Sequence, residues 1–172
     1  MNKLIAILNC DKKYGIGKKG GLLFSLPKDM KLFRETTTGH AVAMGEATLL
    51  SFPKQKPLPN RINIVLSADF SHEYEGTVPA HTMEEFKRLI HEAKKQDDVF
   101  VIGGASIYRQ MLPYVDEVML NKVDADGEAE VFFENLDEHP GFELVQEGEP
   151  VEDNGLITRL CIYQNKKPLP LI

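Results

Sequence analysis

The residue of this sequence best suited to acid chemistry is Asp29, which lies near the start of a predicted helix. Pro27 favours the first position of that helix, because its ring presets φ and it has no N–H to leave unpaired. At about 100° per residue, Leu32 falls about 60° to one side of Asp29 and Phe33 about 40° to the other. A carboxylate on an apolar stripe costs free energy unless something binds it. Asp29 therefore predicts an acceptor for the donors of a ligand, or else a carboxylate that only complements the helix N-terminus.

Glycine-containing segments could bind phosphate groups at three places. Residues 15–20 contain Gly-x-Gly-x-x-Gly, but they do not turn directly from a strand into a helix, as a dinucleotide-binding motif should. They predict a mobile loop beside a site instead. Gly45 and the pair Gly103-Gly104 do join predicted strands to predicted helices, where free backbone N–H groups suit a phosphate. For both turns the alternative is an ordinary connection between two elements.

Composition and charge exclude several classes of protein. The chain has 172 residues, 42% of them hydrophobic and 27% charged, which fits one domain with a good-sized core. Its net charge of −6 argues against a nucleic-acid or membrane-surface partner, but not against an anionic small molecule. Cys10 and Cys161 lack metal-ligand spacing and indicate free thiols in a reducing compartment. The apolar run 4–8 is too short for a signal peptide or a membrane helix, so a cytoplasmic protein is expected.

The elements that must position these residues change character along the chain. Strands are predicted at 4–8, 41–44, 62–66, 77–80 and 99–102, with helices between them beginning near Pro27, Gly45, Thr82 and Gly104. Further strands are predicted without intervening helices at 117–123, 131–133, 142–147 and 157–164. The fold class is therefore α/β, with a central mixed sheet of about eight strands and about four flanking helices. Most of the sheet should be parallel, with an antiparallel C-terminal edge.

Together, the motifs resemble dihydrofolate reductases of the bacterial type over residues 4 to about 164. The matching segments are Ile16-Gly17, Leu26-Pro27-x-Asp29-Met30-x-x-Phe33, Met44-Gly45-x-x-Thr48, Pro57-Leu58-Pro59-Asn60-Arg61-x-Asn63-Ile64-Val65-Leu66-Ser67 and Val101-Ile102-Gly103-Gly104-x-x-Ile107-Tyr108. The resemblance implies one reductase domain over residues 1–172, with an adenosine-binding subdomain at about 40–96. It implies an oxidoreductase of one-carbon metabolism, a target of antifolates, that reduces 7,8-dihydrofolate to 5,6,7,8-tetrahydrofolate by hydride from a nicotinamide cofactor.

The same resemblance implies the residues of the site. Asp29 would accept hydrogen bonds from the pterin and favour protonation of N5 by a water, with Leu22 in a lid at 16–22 and Asn121 as a donor behind the carboxylate. The substrate would contact Ile5, Ala6, Asp29, Met30, Phe33, Phe52, Leu58, Arg61, Ile102 and Tyr108, with Arg61 binding the glutamate α-carboxylate. The cofactor would contact Ile7, Ile16, Gly17, Gly45, Glu46, Ala47, Thr48, Leu66, Ser67, Ala68, Gly103, Gly104, Ala105, Ser106, Ile107 and Tyr108. No metal is expected.

The chain departs from the family pattern at the lid and behind the catalytic carboxylate. The tryptophan that the family places near the lid is Phe24 here, and the proline before it is Leu23. The indole N–H that helps to fix a water is therefore lost. Asn121 replaces the usual threonine and can still donate a hydrogen bond.

A second departure concerns the adenosine end of the cofactor. Glu46 stands where many members have arginine, Ala47 follows it, and Ser106 replaces another arginine of some relatives. With Asp69 also nearby, no clamp for a 2′-phosphate is visible, whereas a carboxylate can accept a hydrogen bond from a free 2′-hydroxyl. The expected cofactor is NADPH, with NADH as the alternative.

Two other interpretations stay open at this stage. A related pterin or pyrimidine reductase would share the fold, but Asp29 and Arg61 together describe a folate. The second interpretation is a non-catalytic relative with an impaired cofactor site. The family's cofactor-site residues Thr48 and Gly103-Gly104 are retained, which argues against it. The expected partners are dihydrofolate and antifolate-like small molecules, with neither nucleic acid nor membrane, and the chain is expected to be a monomer.

Overall fold

Eleven strands and four α-helices follow one another along residues 1–18, 21–68 and 74–172, which the computed structural model describes. The strands are β1 (Leu4–Cys10), β2 (Gly15–Gly17), β3 (Ala41–Gly45), β4 (Ile62–Leu66), β5 (Thr77–Ala80), β6 (Val99–Gly103), β7 (Glu117–Val123), β8 (Val131–Phe132), β9 (Phe142–Glu147), β10 (Val151–Asp153) and β11 (Leu156–Asn165). The helices are α1 (Pro27–Thr37), α2 (Glu46–Leu50), α3 (Met83–Lys94) and α4 (Ala105–Met111). A short 3₁₀ turn covers Pro53–Gln55.

One mixed sheet organises these elements and confirms the predicted fold class. Its order is β10-β11-β7-β1-β6-β3-β4-β5, with β9 also paired to β11. The pairs from β7 to β5 are parallel, and the three pairs made by β11 are antiparallel. Among the described residues this sheet has nine strands rather than about eight, because the chain folds β10 onto β11 as an additional hairpin strand.

The segment predicted to begin a mobile lid and the predicted strand at 131–133 pair with each other instead of joining the large sheet. Gly15 lies opposite Phe132 in a separate antiparallel pair, β2 with β8. The buried carboxylate of Asp11 fixes the turn, because it accepts from the N–H groups of Gly15 (2.7 Å) and Gly127 (3.1 Å). A Cβ at Gly15 would lie 2.3 Å from that of Ala129, so only glycine fits there.

The two faces of the sheet bury different clusters, and alternate residues of β1 contribute to each. Ile5 and Ile7 belong to a cluster with Phe33 of α1 and Leu49 of α2, which we call the α1 face. Leu4, Ala6 and Cys10 belong to the other cluster, which α3 and α4 cover with Phe86, Ile90, Tyr108 and Met111. The predicted site residues that project from the α1 face therefore share one environment. No helix of the described part of the chain is long and apolar enough to cross a membrane.

Candidate active site

Two asparagine side chains of the sheet donate hydrogen bonds to the carboxylate of Asp29. Asn9 Nδ2 donates to Asp29 Oδ2 and Asn121 Nδ2 donates to Asp29 Oδ1, each at 2.9 Å. Asn9 and Asn121 lie directly opposite each other on the parallel strands β1 and β7, so their side chains project from the same face. Each oxygen of the half-buried carboxylate thus has one amide donor, and further acceptor capacity remains for a ligand.

The start of α1 is held by a carboxylate from a distant part of the chain. Leu26, at the N-cap, makes no side-chain cap. Asp153 instead accepts from the backbone N–H groups of Lys28 (3.1 Å) and Asp29 (3.0 Å). Asp153 is only 2% exposed and ends β10, and the next residue, Asn154, also donates to Ser25 O (3.0 Å). The hairpin β10-β11 therefore fixes the backbone that carries Asp29.

We predict that Asp153→Ala destabilises the chain by about 1–2 kcal/mol, because the N–H groups of Lys28 and Asp29 then lose their acceptor. Urea unfolding measures this loss as a shift of the midpoint at constant slope. Thr82→Ala is the comparison, since Thr82 Oγ1 caps one N–H of α3 (3.1 Å). A smaller loss for Asp153→Ala than for Thr82→Ala would contradict the proposed anchoring.

The structure brings together most, but not all, of the predicted substrate wall. Ile5, Phe33, Phe52, Leu58 and Ile102 all belong to or pack on the cluster of the α1 face. Two predicted wall residues differ: the Ala6 side chain lies in the cluster of the opposite face, and Met30 is 62% exposed. Leu22, predicted in the lid, is 77% exposed. The apolar wall next to Asp29 is therefore built from β1, β6, α1 and the segment after α2.

Arg61 is placed where its guanidinium can bind an anion. Its Nε donates to Thr37 Oγ1 (2.8 Å), its Nη1 to Pro59 O (2.8 Å) and its Nη2 to Arg34 O (3.4 Å). The guanidinium carbon lies 5.9 Å from the centre of the Phe33 ring. Among the described residues it has no acidic partner, and burial together with the nearby charge of Arg34 lowers the pKa of Arg61. A carboxylate at the end of the wall would favour the charged guanidinium and so offset this lowering of the pKa.

Tyr108 joins α4 to the first strand beneath the site. Its hydroxyl donates to Ile7 O (2.8 Å), and its ring is buried. Burial raises the pKa of Tyr108, and the charge of Asp29 raises it further. A Cβ at Gly103, where φ is +121°, would come within 3.3 Å of the Tyr108 ring. Tyr108 thus supports the glycine turn and stays protonated, whereas direct contact with substrate or cofactor remains a prediction.

The two glycine turns predicted to bind phosphate lie side by side. Met44 at the end of β3 is opposite Gly103 at the end of β6, so both turns leave the sheet at the same edge. A Cβ at Gly45 would lie 3.0 Å from Ile107 Cγ1, and one at Gly104 would lie 3.6 Å from Thr48 Oγ1. The glycines therefore let the two turns pack closely against α4 and α2 at this edge, and we call the region around the two turns the cleft. Binding of a dinucleotide pyrophosphate in this cleft remains a prediction.

At the outer end of this cleft, the carboxylate of Glu46 is hydrogen-bonded. Its Oε2 accepts from Ser67 Oγ (2.6 Å) and from Tyr74 OH (3.0 Å), so the carboxylate lies across the ends of β3 and β4. Glu46 has no cationic partner within the described ranges. Asp69, which the sequence also places here, lies outside the described residues.

The other predicted cofactor contacts occupy different environments. Ile7 and Ile107 are buried, Leu66 and Ala105 are half-buried, and Ala47, Ala68 and Ser106 are exposed around the cleft. Ile16 and Gly17 belong to β2, in the described part of the predicted lid, whereas residues 19 and 20 lie outside the described ranges. Beyond them, Leu23 and Phe24 cover Gly127, where an added Cβ would lie 3.1 Å and 3.0 Å from their side chains.

Sequence reasoning missed two residues that hold Asp29, namely Asn9 and Asp153. Asn9 follows Ile5 and Ile7 at a spacing of two, and this period was the signal that it faces the same side. Asp153 precedes Asn154-Gly155, a dipeptide typical of tight hairpin turns, and both turn residues have positive φ here. Neither signal identifies Asp29 as the partner, because that contact needs the three-dimensional fold.

Comparison with known proteins agrees with this geometry. A family model described as dihydrofolate reductase matches residues 3–165. The dihydrofolate reductase of Bacillus subtilis is 31% identical over 153 residues, 88% of each chain, and that of Haemophilus influenzae is 34% identical over 70% of this chain and 72% of its own. A solved structure, described as dihydrofolate reductase from Enterococcus faecalis complexed with NADP(H) and RAB-propyl, is 29% identical. It superposes with a TM-score of 0.79 over 96% of this chain and 97% of that one.

Proposed function

Since this chain belongs to the dihydrofolate reductase family, we propose specific roles for the residues of its site in the reaction of that family. The reaction is the reduction of 7,8-dihydrofolate to 5,6,7,8-tetrahydrofolate with a nicotinamide cofactor. One observation carries the assignment of roles: Asp29 is a half-buried carboxylate, held by two amides, beside an apolar wall. Such a site suits a flat heterocycle that presents adjacent N–H donors.

Asp29 binds the pterin and directs its protonation. A carboxylate has about four lone-pair sites, of which Asn9 and Asn121 take one on each oxygen. The remaining sites accept from the 2-amino group and the neighbouring ring N–H, a bidentate contact that offsets the cost of burying the charge. This contact favours the form of the pterin that takes up a proton at N5 from water. When bound, the reduced nicotinamide supplies the hydride for C6.

The remaining residues orient the substrate and exclude water. Phe33, Ile5 and Ile102 cover the pterin and benzoyl rings, with Phe52 and Leu58 toward the outer end of the wall. Arg61 binds the α-carboxylate of the glutamate tail, because its guanidinium retains donors that its present contacts do not use. The α-carboxylate and the pterin are thereby recognised at opposite ends of the wall, which selects a folate rather than a free pterin.

A steady-state assay tests this function directly. The purified chain is given NADPH with dihydrofolate, with a dihydropterin that lacks the benzoylglutamate tail, or with no second substrate, and the loss of reduced nicotinamide is followed by absorbance. We expect a much higher kcat/KM for dihydrofolate than for the truncated pterin. Preference for the truncated pterin would favour the alternative pterin reductase, and binding without turnover would indicate a non-catalytic relative.

For the cofactor, we propose that NADPH is used with an unusually small preference over NADH. Ser67 and Tyr74 both donate to Glu46, so these hydroxyls support a carboxylate at the position where the adenosine ribose would lie. A carboxylate accepts from a free 2′-hydroxyl but repels a 2′-phosphate, which is nearly doubly charged at neutral pH. This repulsion should weaken the binding of NADPH by about 1–2 kcal/mol after solvent screening.

Glu46→Arg is expected to improve kcat/KM for NADPH by about five- to thirtyfold while changing that for NADH much less, since NADH has no 2′-phosphate and loses only the acceptor of its 2′-hydroxyl. Titration of the protein with NADP⁺ and NAD⁺ should give the same difference in affinity without turnover. Glu46→Gln removes the charge alone and should give an intermediate gain, and Glu84→Arg, on α3, controls for net charge. A strong native preference for NADPH that Glu46→Arg does not alter would overturn the proposal.

We further propose a cytoplasmic monomer that binds dihydrofolate and antifolate-like molecules and has no nucleic-acid partner. Cys10 and Cys161 are buried free thiols, and burial raises the pKa of Cys10 to about 12. Thiols kept protonated and buried suit a reducing compartment. The net charge of −6 opposes binding to nucleic acid. Light scattering during size-exclusion chromatography measures the molar mass in solution, which should be that of one chain, 19.4 kDa.

A further inference from the structure

We propose that Asn9 is a positioning residue for the catalytic carboxylate, a role that goes beyond the residue assignments above. The inference rests on the proposed role of Asp29. Asn9 Nδ2 lies 2.9 Å from Asp29 Oδ2, the oxygen that Asn121 does not contact. Without Asn9, only one of the two carboxylate oxygens would have a side-chain donor from the sheet.

The register of the two strands places both asparagine amides where they can donate to the same carboxylate. Asn9 on β1 and Asn121 on β7 are direct partners, so their amides project side by side from the α1 face. Both strands are central in the sheet, where backbone hydrogen bonds on each side limit movement. The amide donors are therefore fixed by the sheet, while the backbone of Asp29 is fixed separately through Asp153. Rotation of the carboxylate about its last bond would break both amide contacts.

This arrangement has a consequence for the substrate. Two donors, one on each oxygen, hold the plane of the carboxylate so that its unused lone pairs face the apolar wall in one orientation. A bidentate contact with adjacent N–H groups needs that orientation, and its loss weakens binding of the pterin and slows the hydride-transfer step. Hydrogen bonds to the carboxylate also favour its charged form. Asn9 should therefore influence how strongly the bound pair of substrate and carboxylate holds a proton.

Few other titratable groups surround this carboxylate in the described part of the chain. Tyr108, from α4, is electrostatically coupled to it and is buried. Asp153, from β10, accepts from its backbone N–H. On α1 itself, Lys28 is exposed, and its Nζ lies 3.8 Å from Oε2 of Glu152 in β10. A substitution at Asn9 leaves all of these in place, so a change in pH dependence would report on the lost amide.

The test compares Asn9→Leu, which keeps the size of the side chain but removes the donor, with the wild type. Single-turnover hydride transfer to dihydrofolate is measured across pH at saturating cofactor. We expect the maximal rate, reached at low pH, to fall about tenfold because the orientation is lost, and the midpoint of the pH profile to move upward by about one unit because a proton is held more tightly. Asn9→Ala, which leaves room for a water, should show a smaller shift in the same direction.

A matched control separates positioning from general stability. Asn165 is a buried asparagine whose amide donates to Pro113 O (3.2 Å) and Val115 O (2.9 Å) at the opposite end of the sheet. Asn165→Leu should lower the melting temperature and leave the pH midpoint unchanged. If Asn9→Leu and Asn9→Ala behave like Asn165→Leu, Asn9 is only structural and the inference fails. If Asp29→Asn also retains full turnover, the failure lies in the proposed role of Asp29 instead.

Discussion

Asp29→Asn should fold like the wild type and turn over dihydrofolate about a hundredfold or more slowly, because acid catalysis and substrate orientation are lost together. The fold should survive because Asp153 holds the backbone N–H of residue 29, which the substitution does not touch. The new amide presents one donor where an acceptor stood. Asn9 or Asn121 can turn its own amide to accept from it, so no buried polar group is left unpaired.

The measurement is kcat for dihydrofolate at neutral pH, with a thermal melt to establish folding. Glu35→Gln is the matched control, since it neutralises another carboxylate of α1 that is exposed and 3.8 Å from Lys31. We expect the control to retain turnover. Near-normal turnover in Asp29→Asn would exclude the mechanism proposed above, and a large fall in both variants would point to a general effect of charge on this helix.

The direction of Asp29 was predictable because it depends on local periodicity alone. The spacing of Leu32 and Phe33 predicts a helix with an apolar stripe, and in the structure Phe33 packs on the α1 face, beside which the carboxylate is held. The same reasoning applied to β1 would have separated Ile5 from Ala6, since neighbouring residues of a strand face opposite sides. The prediction that both line the substrate wall was therefore inconsistent with the strand prediction itself.

Contacts between distant segments could not be derived from the periodicity of the sequence, and only the family resemblance placed Asn121 behind Asp29. Asn9 and Asn121 meet on Asp29 only because β1 and β7 pair in one register, and that register follows from the whole sheet. Strand β2 and its pairing with the predicted strand β8 were missed for a similar reason. The first strand of the pair, β2, is three residues long and has no apolar alternation. Its position depends on distant residues, because Gly15 donates to Asp11 and lies opposite Phe132.

The second large effect is expected at Arg61, where Arg61→Leu should weaken dihydrofolate binding by about 2–3 kcal/mol, or about thirty- to 150-fold. The physical reason is the loss of a charge-assisted, bidentate contact with the glutamate α-carboxylate. Affinity for a pterin that lacks the glutamate tail should change little. Equilibrium titration of both ligands measures the difference, and kcat should fall much less than the affinity.

The contacts of Arg61 in the structure suggest that its loss is tolerated by the fold. Its acceptors at Pro59 O and Arg34 O are exposed, so water can replace the guanidinium there. Thr37 Oγ1, which accepts from Arg61 Nε, still donates to Phe33 O (2.8 Å) and does not become an unpaired buried hydroxyl. The melting temperature of Arg61→Leu should therefore remain close to that of the wild type.

Two further variants decide between charge, geometry and a structural role for this residue. Arg61→Lys keeps the charge but loses the planar fork, and it should recover only part of the affinity for dihydrofolate. Arg88→Leu makes the same chemical change on α3, which covers the opposite face of the sheet, and should leave both affinities unchanged. Equal losses for dihydrofolate and the truncated pterin in Arg61→Leu would show that Arg61 shapes the wall around Phe33 and does not bind the substrate carboxylate.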